Sequence, residues 1–326
     1  MNSLEDIAKA INNAERILIC GHIMPDGDSL GSVLALGSAL EQLGKEVIMA
    51  GPDPIPQIYE FLPDKQKFRV GKPPESNYDT LITLDCSVPK RLGSEYCDLP
   101  GQGHLTVINI DHHSGTNSFG QYRYIEPQAA AVGEIIFDLL ELMQIEINLE
   151  TAICLYTAIA TDTGSFRYEN TTPSTHRRVA RLLELGVPVA RINMRLYEER
   201  PRAAKFLLGA ALNTLSFSTC SKVAWMTVTR DMLQAVEAGD EHTEGLVNYA
   251  RGIKGVEVGL LFHELADSGI RISFRSKEFV DVRRLATLFG GGGHARAAGC
   301  EVGGDLKKIR HEVVAAAVSA AGGKAL

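Results

Sequence analysis

The sequence predicts an α/β protein in two parts, a larger parallel-sheet domain followed by a smaller α/β domain. Three observations carry this. The chain has 326 residues, about twice the commonest domain length. Its first half alternates apolar runs of strand length with longer stretches of helical periodicity, the rhythm of a βαβ sheet. A charged stretch, YEERPRAAKF at 197–206, then interrupts the pattern, and a shorter α/β succession begins after it. We therefore expect a first domain over 1–190, a linker over 191–212 and a second domain over 213–326.

Taken in order, Ser3 and Asp6 have the spacing of a capping box ahead of a short helix, and RILIC at 16–20 is a compact apolar run that ends in Gly21-His22. A loop rich in Pro, Gly and Asp follows. Over 29–43 the apolar residues recur at helical spacing and Gly44 ends the run, after which 47–50 reads as a second strand. The runs TLITL at 80–84 and LTVINI at 105–110 read as strands, each followed by an aspartate, Asp85 and Asp111. Helices are expected near 129–143, 149–160 and 174–185. Beyond the linker we expect strands at 223–228, 256–262 and 270–274, helices at 231–236, 282–289 and 306–320, and a glycine tract before the last helix.

Composition narrows the function. With 45% hydrophobic and 22% charged residues, the chain reads as a globular protein, not a disordered, collagen-like or disulfide-knotted one. Forty acidic against 33 basic residues give a net charge of -7. Such a protein lacks the broad positive field that holds long nucleic acid, so a polyanionic substrate must be met locally. Acidic residues before the first apolar run predict no signal peptide, and no run approaches the roughly 20 residues that span a bilayer, so no membrane partner is expected. Six cysteines without a CxxC pair predict free thiols in a reducing cytoplasm.

The chemistry lies where polar residues stand at the ends of the apolar runs. His22, Asp26 and Asp28 follow the first strand, Asp85 a later one, and Asp111, His112 and His113 another, while Asp162 closes a buried helix. The carboxyl ends of strands in an open parallel sheet line one crevice, so these segments deliver carboxylates and imidazoles to one place. Carboxylates about 5 Å apart repel by roughly 3 kcal/mol per pair at an effective dielectric near 20, and bound cations are the simplest resolution. Asp and His donors without cysteine favour Mn²⁺ ahead of Mg²⁺. The donors exceed what one ion needs, and two ions sharing a carboxylate suit in-line displacement at phosphorus. A PDGD turn or a His-His pair alone would be unremarkable; their conjunction in this order is what carries the reading. A second feature is GGGGHARAAG at 290–299. It lacks the ending of a P-loop, but its glycines let backbone N–H groups approach an anion, with His294 and Arg296 adding charge and Arg275 at a strand end as a companion clamp.

These residues resemble the DHH phosphoesterase family, through Asp111-His112-His113, the HxxxDxD of His22, Asp26 and Asp28, the lone Asp85 and Asp162 in TDTGSF. GGGGHARAAG is similar to the signature of the DHHA1 domain found in one subfamily. The resemblance implies a DHH catalytic domain and a DHHA1 substrate domain with a cleft between them. It implies two Mn²⁺ ions, with Mg²⁺ or Co²⁺ as substitutes: one on His22, Asp26 and Asp85, the other on Asp28, Asp85, His112 and Asp162, with Asp85 bridging. Asp85, Asp111, His112 and His113 would form the catalytic set, with Asp111 and His113 orienting ligands or facing phosphate. Arg275, Gly291, Gly292, Gly293, His294 and Ser165 would bind substrate, and Phe166 or Tyr168 could stack on a base.

The implied activity is hydrolysis of short RNA oligonucleotides to mononucleotides and of 3'-phosphoadenosine 5'-phosphate (pAp) to AMP, in the cytoplasm, with long nucleic acid excluded and a homodimer left open. Hydrolysis of cyclic dinucleotides or their linear dinucleotide products needs the same pocket and stands as the alternative. A non-catalytic nucleotide-binding module would be marked by loss of metal-site carboxylates, and all are present.

Overall fold

Apolar runs without a polar break require burial on both faces, and the first half of the chain meets that requirement in the middle of a parallel sheet. The computed structural model describes residues 2–73, 78–113, 119–266 and 268–322. The chain divides into two compact units, Met1–Glu199 and Arg200–Leu326.

The first unit runs α1 (Leu4–Asn13), β1 (Arg16–Cys20), α2 (Gly27–Gln42), β2 (Glu46–Gly51), β3 (Arg69–Val70), β4 (Thr80–Leu84), β5 (Thr106–Asp111), β6 (Tyr122–Ile125), α3 (Val132–Leu142), α4 (Leu149–Asp162), α5 (Pro173–Glu184) and α6 (Val189–Asn193). The capping box of Ser3 and Asp6 opens α1. The six strands lie in the order β3-β2-β1-β4-β5-β6, every pair parallel. β1 therefore has β2 on one side and β4 on the other, the switch point at which such sheets open a crevice. Register sharpens this: Cys20 pairs with Thr83 and Thr83 with Asn109. His22, Asp85 and Asp111 each stand two residues beyond that row, so three polar groups leave the sheet side by side.

Helices α2 and α4 close over the sheet without room between them. A Cβ on Gly31 would fall 2.5 Å from the carbonyl oxygen of Cys154, and one on Gly27 2.5 Å from the Thr161 side chain. The pairing of an early α2 position with a late α4 position makes the helices antiparallel, and it brings Asp28 at the start of α2 next to Asp162 at the end of α4. Their apolar faces, with those of α1, α3 and α5, form one core that includes Leu34, Ile135, Leu155 and Leu182.

Over 191–212, where an exposed connection was expected, the chain is helical. Ile192 of α6 and Leu196 in a following π-turn (Met194–Glu198) pack into the first core, while Leu207 and Ala211 of α7 (Arg202–Leu212) pack into a core of the second unit. The charges of YEERPRAAKF lie on the outer faces of these short helices, which is why composition suggested a linker. The strands β3 and β6 were too short or too polar to stand out.

The second unit continues from α7 with β7 (Ser216–Phe217), β8 (Val223–Val228), α8 (Arg230–Ala235), α9 (Val247–Arg251), β9 (Val258–Glu264), β10 (Gly269–Ser276), α10 (Val282–Leu288), β11 (Gly292–Gly293), β12 (Ala297–Gly303) and α11 (Leu306–Ala320). Its sheet has the order β11-β12-β10-β9-β8-β7 and is antiparallel except for β8 with β9. One face packs on α10 and α11 and the other, over β8 and β9, on α7, α8 and α9. β10 alternates, Ile270, Ile272 and Phe274 in the core and Arg271, Ser273 and Arg275 on the opposite, half-buried face. All six cysteines are free thiols. Among the described residues no helix is long and apolar enough to cross a membrane.

The close approach of α2 and α4 is directly testable. Gly31→Ala drives a methyl into a backbone carbonyl that cannot rotate away, and should destabilise the protein by about 1–3 kcal/mol in urea unfolding. An unchanged midpoint would contradict the packing described.

Candidate metal centre

At the carboxyl edge of the first sheet, eight sequence-predicted side chains converge: His22, Asp26, Asp28, Asp85, Asp111, His112, His113 and Asp162. Among the clusters whose ligand atoms all lie within 4.8 Å of one another are His22 with Asp26 and Asp85, and Asp28 with His112 and Asp162; Asp85 also groups with Asp111 and His113. Asp85 links the first two. Its Oδ2 lies 3.2 Å from His22 Nε2, and its Oδ1 lies 3.6 Å from His112 Nε2 and 3.3 Å from His113 Nδ1. The backbone at Asp85 is left-handed, φ +56°, a conformation that costs about 1–3 kcal/mol and persists only where its surroundings enforce it. The Asp85 N–H donates to the Ile110 carbonyl at 3.1 Å, which fixes that turn to the neighbouring strand.

Two of the imidazoles are oriented by backbone carbonyls. His22 Nδ1 lies 2.7 Å from the oxygen of Ile23, and His112 Nδ1 3.1 Å from that of Ala129. A carbonyl only accepts, so Nδ1 carries the proton and Nε2 is the nitrogen that would meet a cation in both. The carboxylates are held as firmly. Asp26 caps α2, its Oδ1 accepting from the N–H groups of Asp28 and Ser29, which leaves Oδ2 3.7 Å from His22 Nε2. Asp28 accepts from Val132 N at 2.7 Å, Gly133 N at 2.9 Å and Ser32 Oγ at 3.1 Å. These are the first amides of α3, whose own cap position is Ala131. Asp28 thus caps a helix more than 100 residues away, and the favourable end of that helix dipole faces its charge. Asp111 shapes the turn instead: its Oδ1 accepts from His112 N, His113 N and His113 Nδ1, the last at 2.6 Å.

The donor set fits divalent cations. In octahedral coordination at about 2.1 Å, adjacent ligands lie about 3.0 Å apart and opposite ones about 4.2 Å. The 3.2–3.8 Å separations between His22, His112 and their carboxylates fall in that interval. Among the described residues, Asp85 Oδ1 is buried and accepts no hydrogen bond, a cost that a cation would remove. Without cations, protons hold the cluster together. Burial alone would lower the His22 pKa, but Asp26 and Asp85 outweigh it and raise it to about 10. Asp162, Asp28 and Asp85 likewise raise His112 to about 9 against its burial. Burial and Asp85 push Asp28 up to about 8, and burial with Asp28 pushes Asp162 well up too. For Asp85 the balance goes the other way: burial would raise it, but His22 holds it far below the usual carboxylate range.

The predicted substrate residues are placed differently. Ser165 lies three positions after Asp162 in a left-handed turn, φ +59°, its N–H donating to the Ala160 carbonyl. Phe166 in the same turn is partly buried, packed against the first core beside Tyr156 and His176, whereas Tyr168 is 39% exposed. In the second unit, Arg275 stands on the half-buried face of β10 opposite Ala297, and its Nη1 donates to the Phe274 carbonyl. Gly292 and Gly293 form β11 and are exposed, as is His294 at the hairpin turn to β12. The Gly291 N–H already donates to the Ala286 carbonyl, and a Cβ there would lie 2.1 Å from the Gly299 oxygen. Gly291 therefore serves the packing of the hairpin, and its amide is turned away from any anion. Arg296 donates to the carbonyls of Glu278 and Val280, anchoring that loop. Sequence reading missed the turn at 129–131 and the α3 amides that hold Asp28; the signal was AAAVGEI, a helix start with no capping residue of its own.

Known proteins are similar to this chain in fold and sequence. Residues 16–159 match the family model for the DHH family, N-terminal domain, and residues 232–321 that for the DHHA1 domain. A Thermus thermophilus protein named bifunctional oligoribonuclease and PAP phosphatase NrnA is 34% identical over 319 residues, 97% of this chain and 93% of that one. Its Bacillus subtilis namesake is 26% identical over 301 residues, 91% and 92% of the two chains. The crystal structure of an exopolyphosphatase-related protein from Bacteroides fragilis superposes with a TM-score of 0.89 at 26% identity, covering 98% of this chain and 95% of that one. The chain belongs to the DHH family, in the form that carries a DHHA1 domain.

Proposed function

We propose that this chain is a phosphoesterase dependent on two divalent cations, Mn²⁺ foremost, that hydrolyses short oligoribonucleotides to mononucleotides and pAp to AMP. The observation that carries the reading is the division of the two Asp85 oxygens between two His/Asp clusters. The names of the Thermus and Bacillus relatives, matched over nearly the whole chain, point to the same substrates.

His22, Asp26 and Asp85 would hold one cation, and Asp28, Asp85, His112 and Asp162 the other. Bound there, the pair would supply Lewis-acid polarisation of a phosphoryl group and an acidified water for in-line attack. The chain's own residues fix the geometry in advance. The Ile23 and Ala129 carbonyls set the imidazole tautomers, and the α3 amides hold Asp28 without taking it out of reach. Asp111 keeps His113 Nδ1 turned inward, so that the ring is oriented before substrate arrives. Arg275, Gly292, Gly293 and His294 would bind a phosphate or the terminal nucleotide of substrate, the guanidinium matching two phosphate oxygens. Ser165 would approach substrate beside Asp162. The net charge of -7 disfavours long polyanions, and free cysteines suit a cytoplasmic enzyme. Mg²⁺ or Co²⁺ would substitute in the same donor set.

Two outcomes are expected. Asp85→Ala removes a ligand of both cations, and Mn²⁺-dependent release of mononucleotide from a short RNA, and of phosphate from pAp, should fall to about a hundredth of wild type or less. Substantial retained turnover would refute the shared-ligand role. Because His22, His112 and Asp28 hold protons near neutral pH when no cation is present, cation binding must displace them. Mn²⁺ affinity should rise from pH 6 to pH 8 with net proton release, measured by calorimetry in buffers of differing ionisation heat. Affinity independent of pH would contradict the electrostatics described.

A further inference from the structure

We propose that Asn170 is a positioning residue for the second cation, its one amide group tying the turn that orients His112 and Asp28 to the helix end that carries Asp162. The inference rests on the two-cation reading above and concerns a side chain that ligates nothing.

The turn at 129–131 is the junction of the site. The Ala129 carbonyl sets the ring of His112, and two residues on, the N–H groups of Val132 and Gly133 hold Asp28. Between them, the Ala130 peptide has both its polar groups engaged by side chains. Its N–H donates to Glu134 Oε2 at 3.2 Å, and its carbonyl accepts from Asn170 Nδ2 at 3.0 Å. The same Nδ2 donates to the backbone carbonyl of Asp162 at 3.1 Å. A carboxamide nitrogen has two hydrogens, so both bonds form at once, and with two carbonyl acceptors the orientation of the amide is unambiguous. Glu134 is 2% exposed and is itself held by Arg178 at 3.5 Å.

Asp28, His112 and Asp162 come from segments remote in sequence; the packing of α2 on α4 brings Asp28 to Asp162, and this turn ties His112 to both. Glu134 fixes the turn to α3; Asn170 fixes it to α4. Losing the second link leaves each ligand in place on its own element but lets His112 and Asp162, now 3.3 Å apart, drift relative to one another. Cation affinity is sensitive to such drift, and loss of outer partners typically weakens it about 10–100-fold. The cluster of His22, Asp26 and Asp85 has no hydrogen bond to Asn170 among the described residues and should be untouched.

The test is Mn²⁺ titration of the substrate-free protein by calorimetry, with electron paramagnetic resonance to follow spin coupling between the ions. Wild type should take two Mn²⁺. Asn170→Ala should keep one site at wild-type affinity and weaken the other about 10-fold or more, while the cation-free protein, its Ala130 carbonyl having lost this donor, unfolds at somewhat lower urea. Asn170→Leu, similar in size and without a donor, should behave the same way. Two wild-type-like sites in Asn170→Ala, equal weakening of both, or recovery in Asn170→Leu would overturn the inference. A wild-type chain that takes one Mn²⁺ or none would overturn the two-cation reading and this inference with it.

Discussion

Everything at this site depends on placing Asp26, Asp28, Asp85 and Asp162 together, with Asp28 and Asp85 buried away from water. At an effective dielectric near 20, carboxylates about 5 Å apart repel by roughly 3 kcal/mol per pair, comparable with a substantial part of a domain's net stability. The protein meets this cost in graded ways. Asp26 and Asp28 rest on the amino ends of helices, Asp26 on its own and Asp28 on α3. The raised pKa values of His22 and His112 place positive charge between the carboxylates. What these devices leave unpaired, above all the buried Asp85 Oδ1 that accepts no hydrogen bond among the described residues, is a demand for cations. The same arrangement that is strained when empty is thus suited to holding them.

The scaffold exists to hold that arrangement. A parallel register delivers His22, Asp85 and Asp111 to one edge, and the glycines of α2 let α4 approach until Asp28 and Asp162 meet. Neither device alone would suffice. The strands bring the first cluster together, whereas the second needs helix ends, a histidine from the β5 turn and amides from α3. The second cluster therefore depends more on packing than the first, and the turn at 129–131 is where that dependence concentrates.

Much of this was legible in the sequence because parallel strands bury both faces. Runs such as RILIC and TLITL cannot be mistaken for half-exposed strands, and polar residues at their ends can only stand at the sheet edge. The strand limits of β1, β4 and β8 and the helix α11 follow from the apolar pattern alone. What the sequence hid has a physical reason in each case. The four-residue β6 is polar and only partly buried, and α6 and α7 hide their few apolar contacts among charges. Asp28 could be read as a ligand but not as the cap of α3, because that bond spans more than 100 residues. The glycine tract invited a reading as an anion cradle, yet Gly291 is there for the contact between β11 and β12. Phe166, four residues after Asp162, packs part of its ring against the core, a placement that residue type alone does not reveal.

The central claim is that Asp85 is shared between two cations. Anomalous diffraction at the manganese edge, from crystals soaked in Mn²⁺, tests it most directly. The account predicts two peaks, about 3.5–4 Å apart, one among His22, Asp26 and Asp85 and the other among Asp28, His112, Asp162 and Asp85, with one Asp85 oxygen toward each. A single peak, or two peaks with Asp85 ligating only one, would contradict it.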